Sequence, residues 1–463
     1  MATDKPTPGK PNDAGNRMHP YATRVLEQVS AKYPWETEFL QAVHEVLACI
    51  SPVLLVNPRY EKLCILERLV EPERTVSFRV PWTDDRNAVH VTRGYRVQFS
   101  SVLGPYKGGI RFHPSVTESS LKFLGFEQTF KNALTGQQLG GGKGGASFQT
   151  RGRSDQEIMR FCQAFMTELS RHIDANTDIP AGDIGVGSRE IGFMFGQYKR
   201  LANRFEGVLT GKGVEWGGSL MRPEATGYGV AYFADRMLGT RNESLAGKTV
   251  AVSGFGNVAW GAVEKVTALG AKVVTLSGPD GFVHDPAGVS GEKIEYMLTL
   301  RAGGGDAVKG YADHFGVEFH PGRRPWVVPC DVALPCAIQN ELGEEDARQL
   351  IANKCQCVAE GANMPTTPEA VELLQQARVL FAPGKAANAG GVACSGLEMA
   401  QNSSRQRWPA TQVDEALGGI MRSIHDKCLE AASLHGREGD YVAGANIAGF
   451  LRVAEAMIDQ GIC

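Results

Sequence analysis

The sequence predicts an α/β protein of two domains: an N-terminal α/β substrate domain and a Rossmann-like, doubly wound nucleotide-binding domain. Three observations carry this reading. A short apolar strand, Thr249-Val250-Ala251-Val252, runs straight into Ser253-Gly254-Phe255-Gly256-Asn257-Val258-Ala259 and then a helical pattern. That sets a G-x-G-x-x-A turn between strand and helix, the place where a dinucleotide's pyrophosphate binds. Downstream, strand-like runs at Trp326–Val328, Val332–Leu334 and Val379–Phe381 alternate with helical segments, as a parallel sheet with covered faces requires. Upstream, residues 74–102 alternate in polarity and are rich in β-branched side chains, the mark of a half-buried sheet.

The chain's 463 residues are enough for two or three domains. Hydrophobic residues make up 43% and charged residues 21%, an ordinary globular balance. With Lys+Arg at 48 and Asp+Glu at 51 the formal charge is −3, which argues against a general binder of nucleic acid or membrane surfaces. No unbroken apolar run approaches the roughly 18 residues needed to cross a bilayer. Residues 1–20 lack an apolar core and read as a disordered tail rather than a targeting peptide. The ten cysteines are irregularly spaced, and Cys355 and Cys357 stand one residue apart. That is no zinc pattern, so no metal is expected, and the thiols read as reduced and packed in a cytoplasmic protein.

Taken in order, Tyr21 to Val70 is helical, with Phe39, Val43 and Val46 at helical spacing and Pro52, Pro58 and Pro72 as punctuation. Strands are predicted over 75–80, 89–91 and 95–99. Gly104 to Pro114 reads as a loop, and Thr117 or Ser119 caps a helix running to about Ala133. Gly140–Gly145 reads as a flexible glycine loop that leaves Lys143 bare to a ligand. Helices over 154–172 and up to Asn203 flank Asp178–Gly185, and the glycine-rich join Gly207–Gly218 marks the domain boundary. Beyond the dinucleotide turn, a helix ends at Leu269 with Gly270 as its stop, and Lys272–Leu276 forms the next strand.

Three lysines precede the nucleotide fold. Lys107 sits among Gly104, Gly108 and Gly109, Lys143 among the glycines above, and Lys131 shares a helix face with Gln128 three residues away. Three cations at one pocket call for an anionic substrate with two carboxylates. Repulsion and burial lower a lysine's pKa, which would let one of them act as a neutral base near pH 7. Asp183, between Gly182 and Ile184-Gly185, is the natural carboxylate partner, and it reads equally well as a turn or cap aspartate. A dinucleotide fold with such a pocket suits hydride transfer on an amino or hydroxy diacid.

These residues lie in long stretches that resemble the Glu/Leu/Phe/Val dehydrogenase family, and within it the short hexameric glutamate dehydrogenases. The matching blocks, in family order, are Gly104–Phe112, Lys122–Lys131, Gly140–Gly145, Pro180–Gly187, Arg222–Gly229, Gly361–Thr366 and Gly384–Glu398. The resemblance implies that Lys143 is the catalytic lysine and Asp183 the catalytic aspartate. It implies Lys107 and Ser395 at the side-chain carboxylate of glutamate, Gln128 and Lys131 at the α-carboxylate, and a backbone contact from Gly182. On the cofactor side it implies Thr226 and Asn257 as contacts, with Gly254 and Gly256 on the pyrophosphate turn. It further implies a substrate domain of residues 21–205 completed by 441–463, a nucleotide domain of 206–440, and a homohexamer. The implied reaction is reversible conversion of glutamate to 2-oxoglutarate and ammonium with NAD(P).

Two alternatives stay open. A leucine, valine or phenylalanine dehydrogenase shares the fold but binds an apolar side chain, for which Lys107 and Ser395 are unsuited. A catalytically silent binding or regulatory homologue should show losses among Lys143, Asp183 and the nucleotide glycines, and none is lost. For the cofactor, a carboxylate ending the second strand bonds the ribose 2′-hydroxyl of NAD and repels the 2′-phosphate of NADP. Here that strand ends Ser277-Gly278-Pro279-Asp280, and Phe255 sits in the turn. The pattern resembles the NAD-using branch, so NAD is favoured over NADP, with Arg323 and Arg324 as the counter-argument.

Overall fold

The computed structural model describes residues 18–302 and 305–462. The tail expected over residues 1–20 lies, up to residue 17, outside the described residues, and a helix already begins at Pro20.

The first sheet has five strands: β1 (Arg74–Thr83), β2 (Val89–Ser100), β3 (Tyr106–Phe112), β4 (Gly141–Ala146) and β5 (Asp178–Gly182). Their order is β1-β2-β4-β3-β5, with β4 in the centre, antiparallel to β2 and parallel to β3. Two expectations are corrected here. Gly104–Pro114 is not a loop but contains β3, and Gly140–Gly145 is not a flexible loop but forms most of β4, whose residues are all buried. Glycine is depleted in strands, so propensity points the wrong way. The glycines serve close approach instead. A Cβ on Gly141 would stand 2.0 Å from the Thr129 hydroxyl, and one on Gly145 would stand 2.4 Å from the Arg111 carbonyl oxygen.

One face of this sheet carries the helix Glu118–Leu134, capped by Thr117 in a box with Ser120. Val97 and Phe99 of β2 pack with its Phe126 and Phe130 and with the helices Pro20–Lys32 and Thr37–Val56. The C-terminal helix Tyr441–Asp459 joins the same cluster through Ile447, Phe450 and Val453. The other face is covered by Asp155–Leu169, capped by Ser154, and Ser188–Ala202. Pro52 does not punctuate: it lies inside Thr37–Val56. That helix is, by length and mean hydropathy, the one described helix able to cross a membrane, although polar residues from Glu38 to Ser51 interrupt it, so the expectation of no unbroken apolar run stands. It is instead a core helix, with Phe39, Val43, Val46 and Leu47 fully buried.

The second sheet has seven strands: β6 (Thr249–Val252), β7 (Lys272–Gly278), β8 (Gly281–His284), β9 (Glu318–Pro321), β10 (Val332–Leu334), β11 (Cys357–Ala359) and β12 (Leu380–Ala382). Their order is β12-β11-β10-β6-β7-β8-β9. β12 through β7 are parallel, and β8 and β9 add an antiparallel edge. Trp326–Val328 is not a strand. Pro325 opens a single 3-10 turn there, and Trp326 is fully buried. The strand order reverses at β6, between β7 and β10, and such a switch point is where open α/β sheets bind ligands.

Candidate active site

A cleft of about 650 Å³ separates the two sheets' units, and its walls include Lys107, Gln128, Lys131, Lys143, Gly182, Asp183, Thr226 and Ser395. Eight residues singled out from the sequence therefore converge on one space. The parallel strands β4, β3 and β5 bring Lys143, Lys107 and Gly182–Asp183 to it, and the helix Glu118–Leu134 contributes Gln128 and Lys131.

Lys143 and Asp183 meet directly, Nζ to Oδ2 at 3.1 Å, with side chains 5% and 18% exposed. Arg111 donates from Nε to the same Asp183 oxygen at 2.6 Å. Burial works to raise the Asp183 carboxyl, but the Lys143 and Arg111 cations outweigh it and hold it down at about 2. Burial lowers the Lys143 ammonium, with Asp183 opposing and Arg111 reinforcing the shift. Burial, followed by repulsion from Lys143, brings Lys131 down to about 7. The pocket therefore holds lysines that lose their protons far more readily than free lysine does.

Lys107 is 1% exposed and donates to the Ile179 carbonyl at 2.9 Å and the Thr210 hydroxyl at 2.8 Å. Burial and then the Arg222 charge hold its pKa well below that of ordinary lysine. Thr210 belongs to the glycine-rich join, which Glu398 pins by accepting the Gly211 N–H at 2.8 Å and pairing with Lys212 at 2.8 Å. Ser395, on the helix Gly390–Ser404, accepts from Arg222 Nε at 2.9 Å. Gln128 donates to Asn132 at 2.7 Å, four residues on.

Arg111 and Arg222 line the cleft and were not singled out from the sequence. Arg111 had a usable signal: on a strand, alternate residues share a face, so Lys107, Gly109 and Arg111 of β3 point together. Reading that stretch as a loop hid the relation.

The remaining candidates surround the turn after β6 and lie outside the cleft lining. Gly254 has φ +91°, and a Cβ there would stand 2.8 Å from the Cys336 carbonyl oxygen. Gly256 caps the helix Asn257–Ala268, and a Cβ on it would meet nothing closer than the Arg301 guanidinium at 3.6 Å. The turn is thus bare backbone at a helix N-terminus, which fits a pyrophosphate. Arg301 also donates to the Phe255 carbonyl at 2.9 Å. Ser277 is buried and accepts the Gly254 N–H at 2.8 Å. Asp280 accepts the N–H groups of Val308 and Lys309, both at 2.9 Å, so its carboxylate is fixed beside the strand end. Arg324 is engaged by the Glu341 carbonyl and stands 3.6 Å from Asp346.

Comparison with known proteins decides the family. The profile for "Glutamate/Leucine/Phenylalanine/Valine dehydrogenase" matches residues 217–461, and that for "Glu/Leu/Phe/Val dehydrogenase, dimerisation domain" matches 72–200. The chain belongs to the Glu/Leu/Phe/Val dehydrogenase family. Among the family's members, an NAD-specific glutamate dehydrogenase of Bacteroides fragilis is 59% identical over 444 residues, covering 95% of this chain and 99% of that one. An NADP-specific glutamate dehydrogenase of Escherichia coli is 57% identical over 440 residues, covering 94% and 98%. The Plasmodium falciparum glutamate dehydrogenase structure superposes with a TM-score of 0.93 at 50% identity, covering 96% and 95%.

Proposed function

We propose that this cleft carries out the reversible oxidative deamination of L-glutamate to 2-oxoglutarate and ammonia. The protein is an NAD(P)-dependent oxidoreductase of the glutamate dehydrogenase type. The observation that carries the reading is the buried Lys143–Asp183 pair, set between two further lysines in one cleft.

Lys107 and Ser395, with Arg222 beside them, hold the side-chain carboxylate, while Gln128, Lys131 and the Gly182 backbone hold the α-amino acid end. A nicotinamide dinucleotide held at the turn after β6 would supply the hydride acceptor for the α-hydrogen, and the substrate would then be left as an imine. Lys143, with its proton made labile by burial, acts uncharged to help water add to that imine. Once Lys143 is neutral, one of the two cations on Asp183 is gone, and the carboxylate becomes basic enough to pass protons to and from the leaving nitrogen. Closing the cleft excludes bulk water and strengthens each of these contacts.

For the cofactor, Gly254, Phe255, Gly256, Asn257 and Thr226 form the cradle, and the acidic end of β7 at Asp280, behind Ser277, favours NAD over NADP. The assembly is a cytoplasmic homohexamer, a reading supported by kinship with the family. Steady-state kcat/KM for glutamate and leucine, each with NAD and NADP, tests the proposal. Glutamate with NAD is expected to be the best pair, and leucine equalling glutamate would overturn the substrate assignment.

A further inference from the structure

A second cavity, of about 280 Å³, meets the first at Lys131 and Lys143, which belong to the walls of both. It reaches them from the side of Glu45 and Lys385, and Lys107, Arg222 and Ser395 take no part in its lining. Its charged lining is four carboxylates, Glu45, Glu127, Glu360 and Glu372, against the lysines Lys131, Lys143 and Lys385. By formal charge the carboxylates outnumber the lysines four to three. Burial lowers the Lys131 ammonium to about 7, and it also raises the carboxyls of Glu127 and Glu360, the latter to about 7, so the lining gains negative charge as pH rises past neutral.

The four carboxylates are not equivalent. Glu45 and Glu127 share the Lys385 ammonium, at 3.0 and 3.3 Å, and Asn446 completes that group at 2.8 Å. Glu360 accepts main-chain N–H groups from Gly384 at 2.6 Å and Thr366 at 3.2 Å. Glu372 is exposed at the outer end. Thr366 also lines the cavity. It is 6% exposed, and its hydroxyl lies beside the Glu360 carboxyl without a hydrogen bond of good geometry to any described residue. Buried hydroxyls are nearly always bonded, so an occupant of this cavity has an acceptor waiting for it there.

The occupant's chemistry follows from the walls. Carboxylates and a hydroxyl suit a small cation that donates hydrogen bonds in several directions, and they repel a dicarboxylate. The proposed reaction takes up and releases one such species. When the amino acid and the nicotinamide fill the first cleft, the nitrogen at Lys143 and Asp183 still needs a way in and out.

We propose that this second cavity binds ammonium between Glu127, Glu360 and Thr366, and is the route by which it reaches and leaves the Lys143–Asp183 pair. The proposal rests on the glutamate dehydrogenase reading above. That reading is tested separately by wild-type activity, so the two can fail independently.

Steady-state kinetics of the full-length enzyme in the aminating direction provide the test. Glu127→Gln, Glu360→Gln and Thr366→Val are expected to raise KM for ammonium about fivefold or more. KM for 2-oxoglutarate and kcat at saturating ammonium stay within about twofold. Glu372→Lys, an exposed substitution that leaves the core intact, raises KM for ammonium in the same selective way, and added salt weakens its effect. Crystals soaked in thallium(I), a cation of ammonium's size, show an anomalous peak within contact of Glu127, Glu360 and Thr366, and ammonium displaces it. An unchanged KM for ammonium across Glu372→Lys and Thr366→Val, or an empty cavity after the soak, overturns the proposal while leaving the glutamate reaction in place.

Discussion

Lys143 Nζ stands 3.1 Å from Asp183 Oδ2, and both side chains are withdrawn from bulk water. An ion pair so placed is a poor stability device, because desolvating two charges consumes most of what their attraction returns. It is a good catalytic device, because each partner sets the other's proton affinity. With Arg111 on the same oxygen, Asp183 is held ionised, while burial draws Lys143 toward its neutral form against the pull of Asp183.

On the proposed mechanism, replacing Lys143 by alanine removes the group that acts on the reacting carbon and leaves the distant turn after β6 untouched. Turnover should fall by about 10²–10⁴-fold, the usual worth of a positioned acid–base group. Cofactor binding, read by the fluorescence of the reduced nicotinamide, should stay within about threefold of wild type. A near-normal kcat in this variant would remove Lys143 from the mechanism.

The pH dependence of stability follows from Lys131. In the fold its ammonium is lowered to about 7, by burial first and Lys143 second, whereas the unfolded chain holds that proton to about 10.4. Between those values the unfolded state binds the extra proton, so this residue's contribution to stability rises as pH rises. Lys131→Met, which keeps the length and drops the charge, should be more stable than wild type at pH 7, by about 1–2 kcal/mol after allowing for solvent in the cleft. The advantage should shrink as pH approaches 10. Calorimetric Tm values at pH 7 and pH 9.5 check this, and a gain that grows with pH would contradict it.

Legibility varied with how local the signal was. The turn after β6 was readable because its glycines, strand and helix are consecutive. Lys107, Lys131, Lys143 and Asp183 were readable as a set because each sits in a distinctive glycine or helix setting. The strand character of Gly141–Ala146 was not, since what makes it a strand is the neighbours on both sides, Tyr95–Val97 on β2 and Ile110–Phe112 on β3. The four-residue strands β8 and β9 and the three-residue β11 are too short to carry a period. Arg222 gave no local sign of its role, because its partner Ser395 is 173 residues away.

The close approach around β4 can be tested with one methyl group. In Gly141→Ala the new Cβ would lie 2.0 Å from the Thr129 hydroxyl and 2.8 Å from its Cα, which is backbone and cannot swing aside. Overpacking of this kind costs about 1–3 kcal/mol and occasionally more, so Tm should drop and the yield of soluble protein should fall. Gly419, exposed in the helix Ala410–Leu434 with nothing within 4 Å of a Cβ, is the contrast. Alanine there should stabilise by about 0.5–1 kcal/mol. Equal effects of the two substitutions would show that the glycines of β4 are there for mobility after all.

On the proposed preference for NAD, Asp280 links cofactor choice to local stability. Its two oxygens already hold the N–H groups of Val308 and Lys309, so the carboxylate stands at the end of β7 whether or not a ribose is present. A fixed negative charge there accepts from a 2′-hydroxyl and repels a 2′-phosphate. Asp280→Ser keeps one acceptor for the Val308–Lys309 turn and removes the charge. The ratio of kcat/KM for NADP to that for NAD should rise by about tenfold, with a loss of about 1 kcal/mol in stability as the helix Lys309–Phe315 loses part of its cap. Steady-state kinetics with both cofactors and a thermal melt separate the two effects. A wild-type enzyme that already prefers NADP, or a ratio unmoved by the substitution, would take cofactor choice away from Asp280.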